Sequence, residues 1–153
     1  MRSKHYVVAK PDLPWKEKVV SPGLDEPIEK LKTTRVTKIQ VHNNRYDILS
    51  IGVVLNDGRS CKAGHGGDSN ENYDFNQSSK LKEIEIIYST YENMIGLMLF
   101  HHQDGSIKQL GGDKYKSSGR RDKFVLREDE QLIGVELDCN KYNDAVGITF
   151  MTL

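Results

Sequence analysis

An internal repeat of 45 residues is the feature of this sequence that most constrains its fold. The Gly-Gly-Asp triplets that begin at Gly66 and Gly111 have this separation, and so do the strand residues Ile39 and Ile84. A third copy begins at Ile133, and the chain ends after its second strand. A period of this size indicates one supersecondary unit built several times. The third copy is short of strands, so we predict that the N-terminal segment supplies them and brings the termini together.

Apolar residues within each copy alternate with polar ones. Ile84 and Ile86, for example, alternate with Glu83 and Glu85. This alternation is typical of half-buried β-strands. Turn signals such as Asp57-Gly58 separate the strands at intervals of about 8 to 12 residues, as in sandwiches and barrels. The sequence therefore predicts an all-β fold.

The composition argues against several classes of function. Lys plus Arg and Asp plus Glu both number 22, so the basic excess that phosphate contacts need is missing and a nucleic-acid partner is not expected. The longest apolar run, 94–100, is far shorter than the ~18 residues of a membrane span. Cys61 and Cys139 match neither a zinc spacing nor a disulfide framework, and no secretory signal is recognised. We therefore expect a cytoplasmic chain with free thiols and no cofactor.

Two adjacent histidines were considered as metal ligands. His101 and His102 follow each other on a predicted strand. Successive side chains on a strand point to opposite faces, so the two rings cannot share an ion. No metal site is predicted, and we expect one packed and one exposed histidine.

The N-terminal segment differs in composition from the rest of the chain. It contains all four prolines and the only tryptophan, Trp15. Residues 1–20 carry five basic side chains against two acidic ones. Because proline disrupts helices and central strands, we predict that residues 1–22 form an extended arm, with at most an edge strand at 5–9, and that residues 23–153 form the domain. The charge and Trp15 suit the arm to docking a partner protein.

A second basic stretch lies late in the second copy. Its cations are Lys114, Lys116, Arg120, Arg121 and Lys123. Two interpretations stay open: a mobile, solvated loop, or a docking patch for an anionic ligand such as a sulfated glycan, a lipid headgroup or an acidic protein surface.

Several segments occur in the order and spacing of a known family. They are His65-Gly66-Gly67, Met98-Leu99-Phe100, Asp104-Gly105, Phe124-Val125-Leu126, the run from Glu128 to Val135, and Asp144-Ala145-Val146-Gly147-Ile148. With them the chain resembles the jacalin-related lectins over roughly residues 23–153. The resemblance implies a β-prism, with three four-stranded Greek-key sheets around a pseudo-threefold axis, and it implies carbohydrate binding.

Members of this family bind sugars through a Gly-x-x-x-Asp motif in the loop before the last strand. The matching residues are Asn140, Lys141, Tyr142, Asn143 and Asp144. The resemblance implies that Asp144 and loop N–H groups bind sugar hydroxyls and that Tyr142 covers an apolar face of the ring. Asn140 replaces the glycine. If this position needs a positive φ, asparagine is the least costly replacement for glycine, because its short side chain tolerates the left-handed region, and the loop then keeps its shape.

The resemblance also implies neighbours for this loop. The family has a Gly-rich N-terminal loop beside the site, and Ser21-Pro22-Gly23 is its predicted counterpart, with Gly23 as the glycine. Tyr91 is expected to form a wall of the pocket. In the first copy, Asn43 and Asp47 repeat the four-residue spacing of the motif, which makes that loop a candidate second sugar site.

Two functions stay open from the sequence. The chain is either a carbohydrate-binding module that uses Asp144, or a sugar-blind prism that serves as an interaction subunit through its N-terminal arm. An enzyme is not predicted, because no nucleophile and no acid–base pair can be placed.

Overall fold

The computed structural model describes residues 1–12, 14–15, 17–66, 69–75 and 79–153. Over these residues the chain forms twelve strands and one short helix. In chain order they are β1 (Arg2–Val7), β2 (Glu17–Val20), α1 (Ile28–Leu31), β3 (Val36–Asn43), β4 (Ile48–Leu55), β5 (Ser60–Gly64), β6 (Ser69–Asp74), β7 (Leu81–Tyr88), β8 (Ile95–His102), β9 (Ile107–Gly111), β10 (Arg121–Val125), β11 (Leu132–Cys139) and β12 (Ala145–Thr152). No helix in this part of the chain is long and apolar enough to cross a membrane.

The strands form three units of four. The first unit has the order β1-β12-β11-β2, the second β6-β3-β4-β5 and the third β10-β7-β8-β9. Each unit places the fourth strand beside the first, which is the Greek-key order. The second and third units are joined through the single residue pair Ile48 and Ile95. The predicted all-β prism of three Greek-key units is thereby confirmed.

Apolar side chains from the three units meet in one core. The repeat-related residues Ile39 and Ile84 are fully buried. The ring centroid of Phe124 lies 5.2 Å from that of Phe150 and 6.4 Å from that of Tyr6. Such ring pairs contribute about 0.5–1.5 kcal/mol beyond the area they bury. The aromatic residues therefore join the first unit to the third.

The N-terminal segment belongs to the first unit, which differs from the predicted arm. β1 pairs with β12 over six residue pairs, from Arg2 to Val7, and β2 pairs with β11. Tyr6 is 4% exposed, and its hydroxyl donates to the Lys123 carbonyl oxygen at 2.7 Å. The division at residue 22 thus does not separate an arm from a domain.

The position of the prolines leaves this pairing possible. Pro11 and Pro14 occupy the connection between β1 and β2, where no ladder N–H is needed. Leu13 and Lys16 of the same connection lie outside the described residues. N-terminal strands were predicted to complete the copy that begins at Ile133, with the termini together. The pairing of β1 with β12 in the first unit confirms this.

Candidate functional site

Three hairpins turn at one end of the prism. We call it the loop end, formed by the β3–β4 loop (44–47), the β7–β8 loop (89–94) and the β11–β12 loop (140–144). The described residues of the β1–β2 connection (8–12 and 14–15) lie there too, because β1 ends beside the start of β12 and β2 begins beside the end of β11.

The β11–β12 loop is held by the end of β5. The Asn143 side-chain amide donates to the Gly64 carbonyl oxygen at 3.3 Å. The Nε2 atom of His65 lies 2.7 Å from Oδ1 of Asp144. The predicted motif loop is therefore tied to the second unit by a residue that follows β5.

The other two loops are held in an equivalent way. The end of β9 contacts the β3–β4 loop, where a Cβ atom at Gly112 would lie 2.0 Å from the Arg45 carbonyl oxygen. The β1–β2 connection contacts the β7–β8 loop, where the Lys10 N–H donates to the Glu92 carbonyl oxygen at 2.7 Å. Each unit thus supports the hairpin loop of a neighbouring unit, as a pseudo-threefold arrangement requires.

This arrangement shows which residues of the copies are equivalent. The N–H of His65 donates to the carbonyl oxygen of Leu49, and the N–H of Gly112 donates to that of Gly96. His65 therefore takes the place of Gly112, so the two Gly-Gly-Asp triplets are offset in the structure. Gly67 and Asp68 of the first triplet lie outside the described residues. At this position the His65 side chain reaches the β11–β12 loop. Gly112, which has no side chain, instead lets its backbone lie close to the β3–β4 loop.

Asn140 does not have the positive φ that a glycine at this position would allow. Each hairpin loop contains one non-glycine residue with positive φ, and these are Arg45 (+85°), Glu92 (+60°) and Asn143 (+65°). Asn143 takes this conformation three residues after Asn140. Asparagine tolerates it better than most residues, so the tolerance argument applies at Asn143 instead.

Asn140 has a different role, which is to cap the loop. It is fully buried, and its Oδ1 accepts the N–H groups of Tyr142 at 3.0 Å and Asp144 at 2.9 Å. Its carbonyl oxygen accepts the N–H of Asn143 at 3.0 Å. Short polar side chains at turns commonly bind backbone N–H groups in this way. Three N–H groups that the resemblance would offer to a sugar are consequently occupied within the loop.

We expect Asn140→Gly to destabilise the fold by about 2 kcal/mol, because two hydrogen bonds to a buried side chain are lost. Urea denaturation measures this change. The matched control is Asn44→Gly, since Asn44 caps the β3–β4 loop through the N–H groups of Tyr46 and Asp47 but is only half-buried. Equal small losses in both variants would contradict the capping role of Asn140.

The carboxylate of Asp144 is held by His65 at the edge of the loop. Nε2 of His65 faces Oδ1 of Asp144, and its Nδ1 lies 3.1 Å from the Gly66 carbonyl oxygen. The contact with Nε2 fixes one carboxylate oxygen of Asp144 and leaves Oδ2 without a partner among the described residues.

Asp47 of the β3–β4 loop lies close enough to Asp144 for the charge of Asp144 to act on it. Burial and the negative charge of Asp144 raise the pKa of Asp47, and the positive charge of Lys114 opposes this shift. Oδ1 of Asp47 is buried without a hydrogen-bond partner among the described residues. The Asn43–Asp47 loop is therefore close to the motif loop.

Exposed aromatic side chains gather at the loop end. Tyr142 is 62% exposed and Tyr91 is 73% exposed. Tyr46 and Trp15, on the other two segments at this end, are also exposed. In the described part of the chain these four are the exposed aromatic residues, and each lies on a different loop.

Gly23 does not lie with the other predicted site residues. The N–H of Ser21 donates to the Val135 carbonyl oxygen, which places the chain after β2 beside the start of β11. The motif loop follows the other end of β11, about 15–20 Å away at about 3.3 Å per residue. Gly23 has a φ of +87° and packs against Arg59. The segment beside the motif loop is instead the β1–β2 connection, part of the predicted arm.

The basic stretch is partly neutralised by its own neighbours. Arg120 donates to Glu92 at 3.0 Å and to Asp122 at 2.8 Å, and its guanidinium lies 4.0 Å from the centroid of Tyr88. Arg121 donates to Glu85 at 3.1 Å. These two arginines therefore support the fold, and less charge is available for an anionic ligand than the sequence indicates.

Comparisons with known proteins identify the family. A model of the jacalin-like lectin domain matches residues 22–149, and no curated protein matches the chain significantly. Among solved structures, the prostate-specific WGA16 glycoprotein lectin has a TM-score of 0.67 at 19% identity over 89% of each chain. The mannose-binding lectin from Champedak has a TM-score of 0.66 at 11% identity over 99% of this chain and 96% of that chain. The lamprey immune protein has a TM-score of 0.72 at 13% identity, and the match covers 97% of this chain but 43% of that one. These likenesses show the fold, and the match to residues 22–149 shows that the chain belongs to the jacalin-like lectin domain family.

Proposed function

We propose that the loop end binds carbohydrate and that Asp144 is its central acceptor. One observation carries the proposal: Oδ1 of Asp144 is fixed by His65, while Oδ2 has no partner among the described residues. The Asp144 side chain is 19% exposed, so a ligand can reach it. A carboxylate oxygen that is already oriented accepts a sugar hydroxyl without first being ordered.

Other residues of the loop supply weaker contacts. The N–H of Lys141 has no partner among the described residues and can donate to a hydroxyl. The exposed ring of Tyr142 offers an apolar face to the C–H side of a sugar. Tyr91 and Trp15, on the flanking loops, can contact further units of a longer glycan.

Because Asn140 occupies three loop N–H groups, the site offers fewer donors than the family motif. We therefore propose that recognition depends mainly on Asp144 and the aromatic rings, with weak affinity for a single sugar. A Kd of about 1 mM corresponds to about −4 kcal/mol, which one charged hydrogen-bonding group and one ring contact can supply. The name of the Champedak lectin makes mannose a sensible first probe.

A glycan array with the whole chain tests the proposal, followed by titration of any glycan that binds. We expect Asp144→Asn to weaken binding at least tenfold, because the charged acceptor is lost while the shape is kept. Asp47→Asn is the matched control, since it removes a neighbouring carboxylate, one oxygen of which is buried. Binding that survives Asp144→Asn unchanged, or no binding to any glycan, contradicts the proposal.

A second candidate function is a sugar-blind interaction subunit, and the internal hydrogen bonds of the motif loop favour it. Its anchor would be Trp15, which is 41% exposed on the β1–β2 connection. Exposed tryptophans often contribute 2 kcal/mol or more to an interface. This function requires that no glycan binds and that Trp15→Ala releases the folded chain from its native complex. A chain that runs alone in native extracts contradicts it.

A further inference from the structure

The outer face of the third unit carries a cluster of metal-ligating side chains far from the motif loop in sequence. Glu83 and Glu85 are two residues apart on β7 and therefore point to the same face. His101 on β8 lies directly opposite Glu83 in the strand register. His102 points inward and is buried, as the alternation of the two histidines predicts.

The distances within this cluster fit a small divalent cation. Nε2 of His101 lies 2.6 Å from Oε1 of Glu85 and 3.8 Å from Oε2 of Glu83. One ligand atom from each residue lies within 4.8 Å of the others. Around a tetrahedral zinc ion with bonds of about 2.1 Å, ligand atoms are about 3.4 Å apart. The two measured separations lie on either side of this value, so small rotamer changes suffice.

The carboxylate of Glu83 accepts no hydrogen bond from the described residues, whereas that of Glu85 does. Arg121 donates to the second oxygen of Glu85 at 3.1 Å, which fixes that carboxylate. Hydrogen bonds of this kind commonly orient metal ligands. Glu83 is half-buried, and no donor among the described residues is within hydrogen-bond distance of its carboxylate. Burying a carboxylate without a donor costs free energy, and a bound cation between Glu83 and the His101 imidazole would offset this cost.

We propose that Glu83, Glu85 and His101 form a Zn²⁺ site on the outer face of the third unit. Two carboxylate oxygens and one imidazole nitrogen are ligands that zinc accepts, whereas Ca²⁺ prefers six to eight oxygens and Mg²⁺ a near-octahedral oxygen shell. Three protein ligands leave a fourth position for water. The ion takes the place of the hydrogen bond between Nε2 of His101 and Oε1 of Glu85.

Titration calorimetry with Zn²⁺ alone and the full chain tests this site. We expect one ion per chain, with His101→Gln and Glu83→Gln each raising the Kd tenfold or more. Mg²⁺ and Ca²⁺ are expected to bind at least tenfold more weakly than Zn²⁺.

The matched control is His5→Gln, because His5 also contacts a carboxylate, that of Asp138 at 2.5 Å, on a different sheet. This variant should bind Zn²⁺ as the wild type does. Thermal melts of all three variants confirm that they are folded. The proposal is overturned if the wild type does not bind Zn²⁺, or if His101→Gln and Glu83→Gln bind it as tightly as the wild type. Neither result bears on the carbohydrate proposal, which concerns other residues.

Discussion

Deleting residues 1–8 should abolish the cooperative unfolding of this domain. The deletion removes β1, with the buried side chains of Tyr6 and Val8, and exposes the edge of β12 to solvent. Loss of one buried aromatic side chain alone costs about 3–5 kcal/mol, and total stabilities are about 5–15 kcal/mol. The loss of a paired strand adds to this cost. Circular dichroism during thermal and urea denaturation measures the effect.

Point variants keep this prediction testable if the deletion does not yield protein. Tyr6→Ala should destabilise the full chain by about 3–5 kcal/mol. Ser3→Ala, on an exposed position of β1, should change stability by less than about 0.5 kcal/mol. A shortened chain that melts at the temperature of the full one would contradict the pairing of β1 with β12. The N-terminal residues would then form a detached arm, as the composition predicted.

The central hairpins of the fold could be predicted from local pattern. Alternating residues such as Ile84 and Ile86 sit on strands long enough to show a period of two, and turns such as Asp57-Gly58 mark their ends. The N-terminal strands could not be recognised in this way. β2 has only four residues, three of them exposed, and its partners lie more than a hundred residues away. Its pairing depends on register with β11, which local sequence does not encode.

The residues of the motif loop could be identified from the sequence, but their contacts could not. The spacing from Asn140 to Asp144 located the loop, because the family motif depends on local sequence. The role of Asn140 was missed because a residue at a glycine position was judged by its φ preference, whereas its side chain forms the hydrogen bonds. His65 was missed because it comes from another unit, 79 residues away from Asp144. Only the structural equivalence of His65 and Gly112 would have indicated that the His65 side chain lies beside the β11–β12 loop.

A second large effect concerns Glu130, at the end of the prism opposite the motif loop. Arg2 donates to both of its carboxylate oxygens, at 2.9 and 2.5 Å. The Thr152 hydroxyl donates at 2.5 Å and the Arg127 N–H at 2.8 Å. The hydrogen bond from Arg2 is the largest cause that lowers the pKa of Glu130 from 4.5 to about 2, with Thr152 and Arg127 adding to it against the opposing effect of burial.

The lowered pKa of Glu130 makes the stability of the fold depend on pH in a defined window. A carboxyl group whose pKa is lower in the folded state stabilises that state above its unfolded pKa, and the contribution is lost as pH falls towards the folded value. For Glu130 the window runs from 4.5 down to about 2. The shift corresponds to roughly 2–3 kcal/mol after allowance for the partial exposure of Arg2.

We expect Glu130→Gln to lower the free energy of unfolding at pH 7 by roughly 2–3 kcal/mol and to flatten the stability profile between pH 4.5 and 2. Urea denaturation at a series of pH values measures both effects. Glu128→Gln is the matched control, because Glu128 is exposed and has no hydrogen bond among the described residues. If both variants follow the wild-type profile, Glu130 is not held by Arg2, and the first residues of β1 do not fasten the N-terminus to the end of β12. If only Glu130→Gln departs from it, the two chain termini are joined by this carboxylate as well as by the strand ladder.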